Sequence, residues 1–159
     1  MALVEPLAEE SDFRRTVDLL GGPRVLHRTV RSALDTHDLL HEGLPARALD
    51  HLVREVTLLH VSPVLLEKAV GISPRTYQRR KKDEEDRPLS REQSNRVWKF
   101  AETLGRASDL FGSQAAAEAW LVEPATALDQ RKPIDLLSTP AGVEMVEAHL
   151  TRIEYGVYT

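Results

Sequence analysis

Cysteine is absent from the chain, which removes disulfides, thiolate metal sites and cysteine nucleophiles and is compatible with a reducing compartment. No apolar run approaches the ~20 residues that a bilayer-spanning helix requires. Glu5, Glu9 and Glu10 stand where a secretory leader would be basic, so a cytoplasmic protein with no membrane partner is expected. Strand-like alternation, internal repeats and low-complexity tracts are also missing, and the expected fold is all-α. A glycine-rich phosphate loop, a nucleophile elbow and paired catalytic carboxylates on strands are all lacking. Glu144 and Glu147 share a helix face, as carboxylates on solvated helices commonly do. Enzymatic turnover is therefore the least supported function class.

Metal chemistry is not expected either. His37 and His41 lie four apart, as ligands on one helix face would, but Asp-Leu-Leu between them lacks the zincin glutamate and no third ligand is near. No cofactor is expected. An overall excess of positive charge is missing too: the formal net charge is −4 and the pI about 5.9. That balance disfavours indiscriminate coating of nucleic acid, which depends on broad phosphate neutralisation.

Positive charge is instead local. Gly71-Ile-Ser-Pro-Arg-Thr-Tyr-Gln-Arg-Arg-Lys-Lys82 carries five basic side chains and no acid. Leu65 to Val70 has helical character, Gly71 can adopt the left-handed conformation that ends a helix, and Ser73-Pro74 makes a capped restart. Helix, glycine turn and helix together form a helix-turn-helix pattern. With Tyr77 and Ile72 turned inward, a 3.6-residue period puts Arg75, Arg79 and Lys82 roughly 140° to 200° away from Tyr77, flanked by Thr76 and Gln78. Arg can read guanine and Gln adenine, while Arg80 and Lys81 suit phosphates. Ser73, Arg75, Thr76, Gln78, Arg79, Arg80 and Lys82 form the candidate DNA-binding set. Glu67 stands four before Gly71, where a small residue usually lets the two helices approach, so slightly atypical packing is expected. The acidic run Asp83-Glu-Glu-Asp86 that follows is expected to turn away from the duplex.

The remaining segments read as helices. A short one spans Asp12 to Leu20 and is stopped by Gly21-Gly22-Pro23. Leu26, Val30, Ala33, Leu34 and Leu40 suggest one amphipathic helix from Arg24 to His41, closed by Gly43. Another begins at Pro45, with Ala48, Leu49, Leu52, Val53 and Val56 facing the core, and Ser62-Pro63 caps the next. Pro88-Leu-Ser90 starts a long helix with Val97, Ala101, Leu104, Ser108 and Phe111 inward, ended by Gly112-Ser113. Ala115 to Leu121 and Pro133 to Leu137 are short elements. The last helix follows Thr139, with Val143, Val146, Leu150 and Ile153 as its stripe.

Two groups of motifs resemble a known family. Gly43-Leu-Pro45, Ala48-Leu-Asp50, Gly71-Ile-Ser73, Arg75 to Arg80, Leu89-Ser90 and Ser94 look like the DNA-binding half of Xre/MbcA/ParS-type antitoxins. Phe111-Gly-Ser113, Ala116-Ala117, Trp120-Leu121, Pro124, Ala127-Leu128, Pro133 to Leu137, Thr139, Gly142, Val146-Glu147 and Arg152 to Tyr158 resemble that family's toxin-binding domain. The resemblance covers about Gly43 to Tyr158 and implies a helix-turn-helix domain (43–88) and a linking helix with a small helical toxin-binding domain (89–159), leaving residues 1–42 outside it as an expected N-terminal helical extension.

It further implies a type II antitoxin that blocks a RES-domain toxin, an NAD-consuming enzyme, and represses its own operon by binding operator DNA as a homodimer. Carried onto this chain, Arg152, Tyr155, Gly156, Val157 and Tyr158 would obstruct the toxin's active site, supported by Trp120 and Leu136. The simpler reading of Ile153 and Tyr155 is that they finish the packing of the last helix. A free-standing helix-turn-helix regulator, whose C-terminal half binds another protein or an effector, is the competing function.

Overall fold

Helix starts in this chain are written in hydroxyl side chains. Ser32, Ser62, Ser73, Ser90, Ser113 and Thr139 each accept a hydrogen bond from the backbone N–H three residues on, satisfying one of the donors a first turn leaves unpaired. At Ser90 the arrangement is reciprocal, because the Gln93 side chain accepts from the Ser90 N–H.

The computed structural model describes residues 8–156, with side chains from Phe13 onward. Its helices are α1 (Ala8–Leu19), α2 (Gly22–Leu26), α3 (Ala33–Glu42), α4 (Ala46–Glu55), α5 (Thr57–Val61), α6 (Pro63–Val70), α7 (Pro74–Lys82), α8 (Arg91–Phe111), α9 (Gln114–Leu121) and α10 (Pro140–Glu154). Two 3-10 turns, Thr126–Leu128 and Pro133–Leu136, lie between α9 and α10. The all-α expectation holds: among the described residues there are isolated bridges at Pro45 with Pro88 and at Ala125 with Arg131, but no strand. No helix among them is long and apolar enough to cross a membrane.

The single helix expected from Arg24 to His41 is not formed. The chain breaks between α2 and α3, where His27 takes a left-handed φ of 59° and Ser32 caps a new helix. The Asp35 carboxylate also accepts from the Arg31 N–H at 2.9 Å, and these bonds hold it below the usual carboxylate range. The break resets the helical phase. Of the expected stripe Leu26 and Val30 are buried and Leu40 half-buried, whereas Ala33 and Leu34 are exposed, Leu34 at 68%, and Leu39 takes the buried position.

The long helix α8 runs through the centre and touches α1, α3, α6, α9 and α10. Its inward positions Val97, Phe100, Ala101, Leu104 and Ala107 are buried, and full burial of a side chain such as Phe100 is worth about 1.5–3 kcal/mol. The α4 stripe of Ala48, Leu49, Leu52, Val53 and Val56 is likewise buried, as are Val146 and Leu150 of α10.

Two helices lacking a cap of their own are capped from far along the chain. The Arg47 N–H in the first turn of α4 donates to Asp86 Oδ1 at 3.0 Å. The Leu58 N–H in the first turn of α5 donates to Glu118 Oε1 at 2.8 Å. Glu118 is only 7% exposed, and its second oxygen accepts from Gln114 Nε2, which also donates to the Glu55 carbonyl. α9 is thereby fastened to the α4–α5 elbow. The start of α8 is fastened similarly, with Leu44 N–H on the buried Ser94 Oγ at 2.8 Å and Leu89 N–H on the Leu44 carbonyl at 2.8 Å.

Candidate functional site

The helix-turn-helix is built from α6, Gly71 and α7. Gly71 ends α6 in a left-handed conformation, φ 70°, with its N–H on the Glu67 carbonyl at 2.8 Å. Two constraints demand glycine here: the positive φ, and the Arg96 guanidinium of α8, which a Cβ would overlap. Arg96 Nη2 donates to the Lys68 and Ala69 carbonyls at 3.0 and 3.4 Å. Burial pulls this guanidinium below the usual arginine range, opposed by the nearby Glu92 carboxylate. Glu67 does not obstruct the pair, since it is exposed and Leu66, Ala69 and Val70 are the buried positions of α6.

Tyr77 faces inward as expected and is 7% exposed. Its hydroxyl donates to Asp50 Oδ1 at 2.8 Å, while Arg54 Nη2 holds Asp50 Oδ2 at 2.6 Å. Burial and the Asp50 carboxylate push the phenol above its usual range. Ile72, in the turn five residues earlier, is buried too. On the other side Arg75, Gln78, Arg79, Lys81 and Lys82 are exposed, with Thr76 half-buried. Ser73 is occupied as the cap and donates to Thr76 Oγ1 at 2.9 Å. Arg80 is half-buried, its Nη1 directed at the Arg87 and Pro88 carbonyls at 3.5 and 3.4 Å.

The acidic run is largely engaged within the molecule. Asp83 and Glu85 lie 3.6 and 3.2 Å from Arg87 Nε, and Asp86 is taken up by the start of α4. Glu84 is left exposed.

The second surface lies at α9, the 3-10 turns and α10. Trp120 is half-buried, its ring 5.5 Å from Phe111 and stacked on His149 at 6.2 Å and 19°. Among the described residues its indole N–H is buried without an acceptor. Burial first, then Arg152, holds His149 below the usual histidine range. Leu136 is half-buried, and its carbonyl presses on Gly142 so closely that a Cβ there would overlap it. The last turns of α10 are braced by Arg106, which donates to Thr151 Oγ1 at 2.8 Å and pairs with Glu154 at 3.2 Å. Burial lowers Lys99, but its bonds to Glu102 and Glu147 outweigh this and hold the ammonium above the usual lysine range. Beyond that brace Arg152 and Gly156 are exposed and Tyr155 is 76% exposed, with Gly156 at φ 71°. Tyr155 does not finish the packing of α10, whereas Ile153 is half-buried. Val157 and Tyr158 lie outside the described residues.

The sequence pattern of the antitoxin Xre-like helix-turn-helix domain matches residues 35–102, and that of the antitoxin Xre/MbcA/ParS C-terminal toxin-binding domain matches residues 106–156. The chain belongs to the Xre/MbcA/ParS antitoxins. It is an antitoxin of a toxin–antitoxin system, with a helix-turn-helix DNA-binding domain ahead of a toxin-binding domain. The antitoxin is 29% identical over 136 residues to a "Prs ADP-ribosylating antitoxin" of Sphingobium sp. (strain YBL2), covering 80% of this chain and 82% of the relative. It is 33% identical over 93 residues to an "Antitoxin Xre" of Yersinia enterocolitica, covering 58% of this chain and 62% of that one. A third relative, an "Antitoxin Xre" of Pseudomonas putida, is 28% identical over 125 residues, 79% of this chain and 74% of the relative.

The antitoxin's two matched domains meet within α8, after residue 102 and before residue 106. Sequence reasoning singled out neither Arg96 nor Glu118. The carbonyls that Arg96 meets lie 27 and 28 residues away and the amide that Glu118 caps lies 60 away, so no local spacing marks those pairings. His37 and His41 stack with ring centroids 5.9 Å apart, and among the described residues no cluster of three metal-ligating side chains exists.

Proposed function

We propose that this antitoxin neutralises a RES-domain, NAD-consuming toxin by obstructing its active site with the end of α10 and the tail, and that it represses its own operon as a homodimer on operator DNA. In this reading it acts in the cytoplasm without catalytic activity or cofactor. Residues 1–42 form an extension, 43–88 read DNA, and 89–159 link to and bind toxin. The observation that carries the first part is the end of α10, where Arg152 and a 76% exposed Tyr155 stand free inside the matched toxin-binding domain. Tyr and Arg concentrate interface energy, and an aromatic terminus can enter a concave pocket. Trp120, stacked on His149, stands nearer that end, whereas Leu136 lies against Gly142 at the start of α10 and would contact the toxin from there; Val157 and Tyr158 follow in the chain.

For DNA, Arg75, Thr76, Gln78 and Arg79 present donors to base edges, with Lys81 and Lys82 toward phosphates. Ser73 serves as the helix cap, and Arg80 holds the loop that follows.

Coexpression with the product of the adjacent gene tests the toxin part: the full chain restores growth and a chain lacking residues 155–159 does not. Full rescue by the shortened chain would remove the obstruction model. For DNA, Arg79→Ala weakens binding to the upstream duplex while neutralisation persists, and equal DNA affinity of the two proteins refutes the assigned facing. Operator binding with no toxic neighbour would favour a free-standing regulator.

A further inference from the structure

We infer that Arg96 is the positioning residue of the DNA-reading helix: it sets the α6–α7 turn from behind and thereby sustains DNA affinity without touching DNA. The inference rests on the reading of α7 as the DNA-contacting element.

The last carbonyls of a helix have no partner in the helix and form the negative end of its dipole. At the end of α6 the carbonyls of Lys68 and Ala69 are met by Arg96 Nη2. Two residues on, Gly71 reverses the chain against the same guanidinium, leaving no room for a Cβ. Three backbone points, at 68, 69 and 71, are thus registered on one planar group, and α7 begins at Pro74. The group is anchored on a rigid support, since the next residue, Val97, is fully buried in the central helix.

The guanidinium also carries an unmet requirement. Its Nε–H is buried without an acceptor among the described residues, an arrangement that costs free energy and calls for an explanation in a folded protein. A planar fork can lie along two carbonyls and under a glycine, which an ammonium on a flexible stem cannot reproduce. The other polar tethers of α7 lie further along the helix, the Tyr77 hydroxyl on Asp50 and Arg80 on the Arg87 and Pro88 carbonyls. Without Arg96 the N-terminal turn of α7, which carries Arg75 and Thr76, keeps the buried Ile72 and the Ser73 cap on the α6 side and Tyr77 on the α4 side, but loses the group that registers the turn itself.

The test uses the full chain and three substitutions, Arg96→Met, Arg96→Lys and Arg79→Ala, on the duplex immediately upstream of the gene across a salt series. Arg96→Met is expected to weaken binding about tenfold or more, the equivalent of one decade in Kd, with the slope of log Kd against log salt unchanged. Arg96→Lys recovers part of the loss, and toxin neutralisation persists in both. Removing a phosphate contact instead lowers that slope by about 1, so a lowered slope for Arg96→Met would make Arg96 a direct contact and overturn the inference. Unchanged affinity overturns it as well.

Amide hydrogen exchange supplies a readout independent of DNA. Arg96→Met should speed exchange at residues 71–77 (Pro74 lacking an amide) while α10 keeps its protection, and unaltered exchange there refutes the positioning role. If Arg96→Met does not fold, Arg96→Lys serves in both measurements. A parent protein that ignores the duplex sinks the DNA reading, whereas a parent that binds beside an equally tight Arg96→Met sinks only this inference.

Discussion

Replacing Glu118 by alanine is the sharpest probe of how the two halves are joined. The carboxylate accepts from the Leu58 N–H at 2.8 Å and from Gln114 Nε2 at 3.1 Å while only 7% exposed. α5 has no side-chain cap of its own, so its first turn depends on this acid. A hydrogen bond to a charged group contributes about 1.5–3 kcal/mol, and a buried donor left unpaired costs a similar amount. Loss of a helix cap, measured separately, costs about 0.5–2 kcal/mol. These describe one interaction and do not add, so Glu118→Ala is expected to lose about 2–3 kcal/mol. For a chain of this size each kcal/mol lowers Tm by about 2–4 °C, which gives a fall of about 4–12 °C. Glu118→Gln keeps an acceptor oxygen and loses only the charge, so it should lose about 1 kcal/mol or less. Urea unfolding of the three proteins, with exchange of the Leu58 amide, makes the comparison. An alanine variant within about 0.5 kcal/mol of the parent, the size of an ordinary surface change, would refute the capping argument. A glutamine variant as damaged as alanine would refute the role of the acceptor.

Gly142→Ala must push its Cβ against the Leu136 carbonyl, and thermal melts should show the overpacking loss of about 1–3 kcal/mol; an unchanged Tm would mean the turn moves freely. His149 is held below its ordinary value of 6.5, so in the window from 6.5 down to its folded pKa the unfolded chain binds more protons than the native one and stability falls as pH falls. His149→Phe should flatten that acid-side decline in a pH series of Tm values, and an identical decline in the variant counts against the assignment. On DNA, four exposed cations of α7, namely Arg75, Arg79, Lys81 and Lys82, bound the counterion release to a log–log salt slope of roughly −3.6 for each antitoxin bound. A much steeper slope would require cations from outside α7.

Local chemistry was legible in the sequence and distant chemistry was not. Ser62, Ser73, Ser90 and Thr139 could be read as helix starts because a cap acts within three residues. With Tyr77 taken as the inward residue of α7, one helical period settles the outward facing of Arg75, Arg79 and Lys82, and Tyr77 and Ile72 are indeed buried. The break between α2 and α3 was missed, since Leu26, Val30 and Leu40 still fit a continuous stripe. A signal was present in Ser32-Ala-Leu-Asp35, whose cap and carboxylate mark a new first turn. Leu34 went wrong with it. For the candidate surfaces, the exposure of Arg79 follows from the helical period, whereas Tyr155 is offered by the family resemblance against a packing reading that its exposure removes. The supports behind them, Arg96 under the Gly71 turn and Glu118 at α5, depend on pairings that only the folded chain creates.

Those pairings also resolve an apparent conflict in the charge. A net −4 chain with four acids directly after its basic helix should repel a polyanion. Yet the acids nearest α7 are occupied: Asp50 by Tyr77 and Arg54, Asp86 by the start of α4, and Asp83 and Glu85 by Arg87. An ion pair presents little net field beyond its own dimensions, and at physiological salt unpaired charges are screened over about 8 Å. What a duplex would meet at α7 is therefore four exposed cations, of which Lys81 lies over the Tyr77 ring, and Gln78, opposed at close range chiefly by Glu84. The acids nearest α7 are thus spent on holding helices in place, so a modest, local attraction at α7 is compatible with a chain that is negative overall.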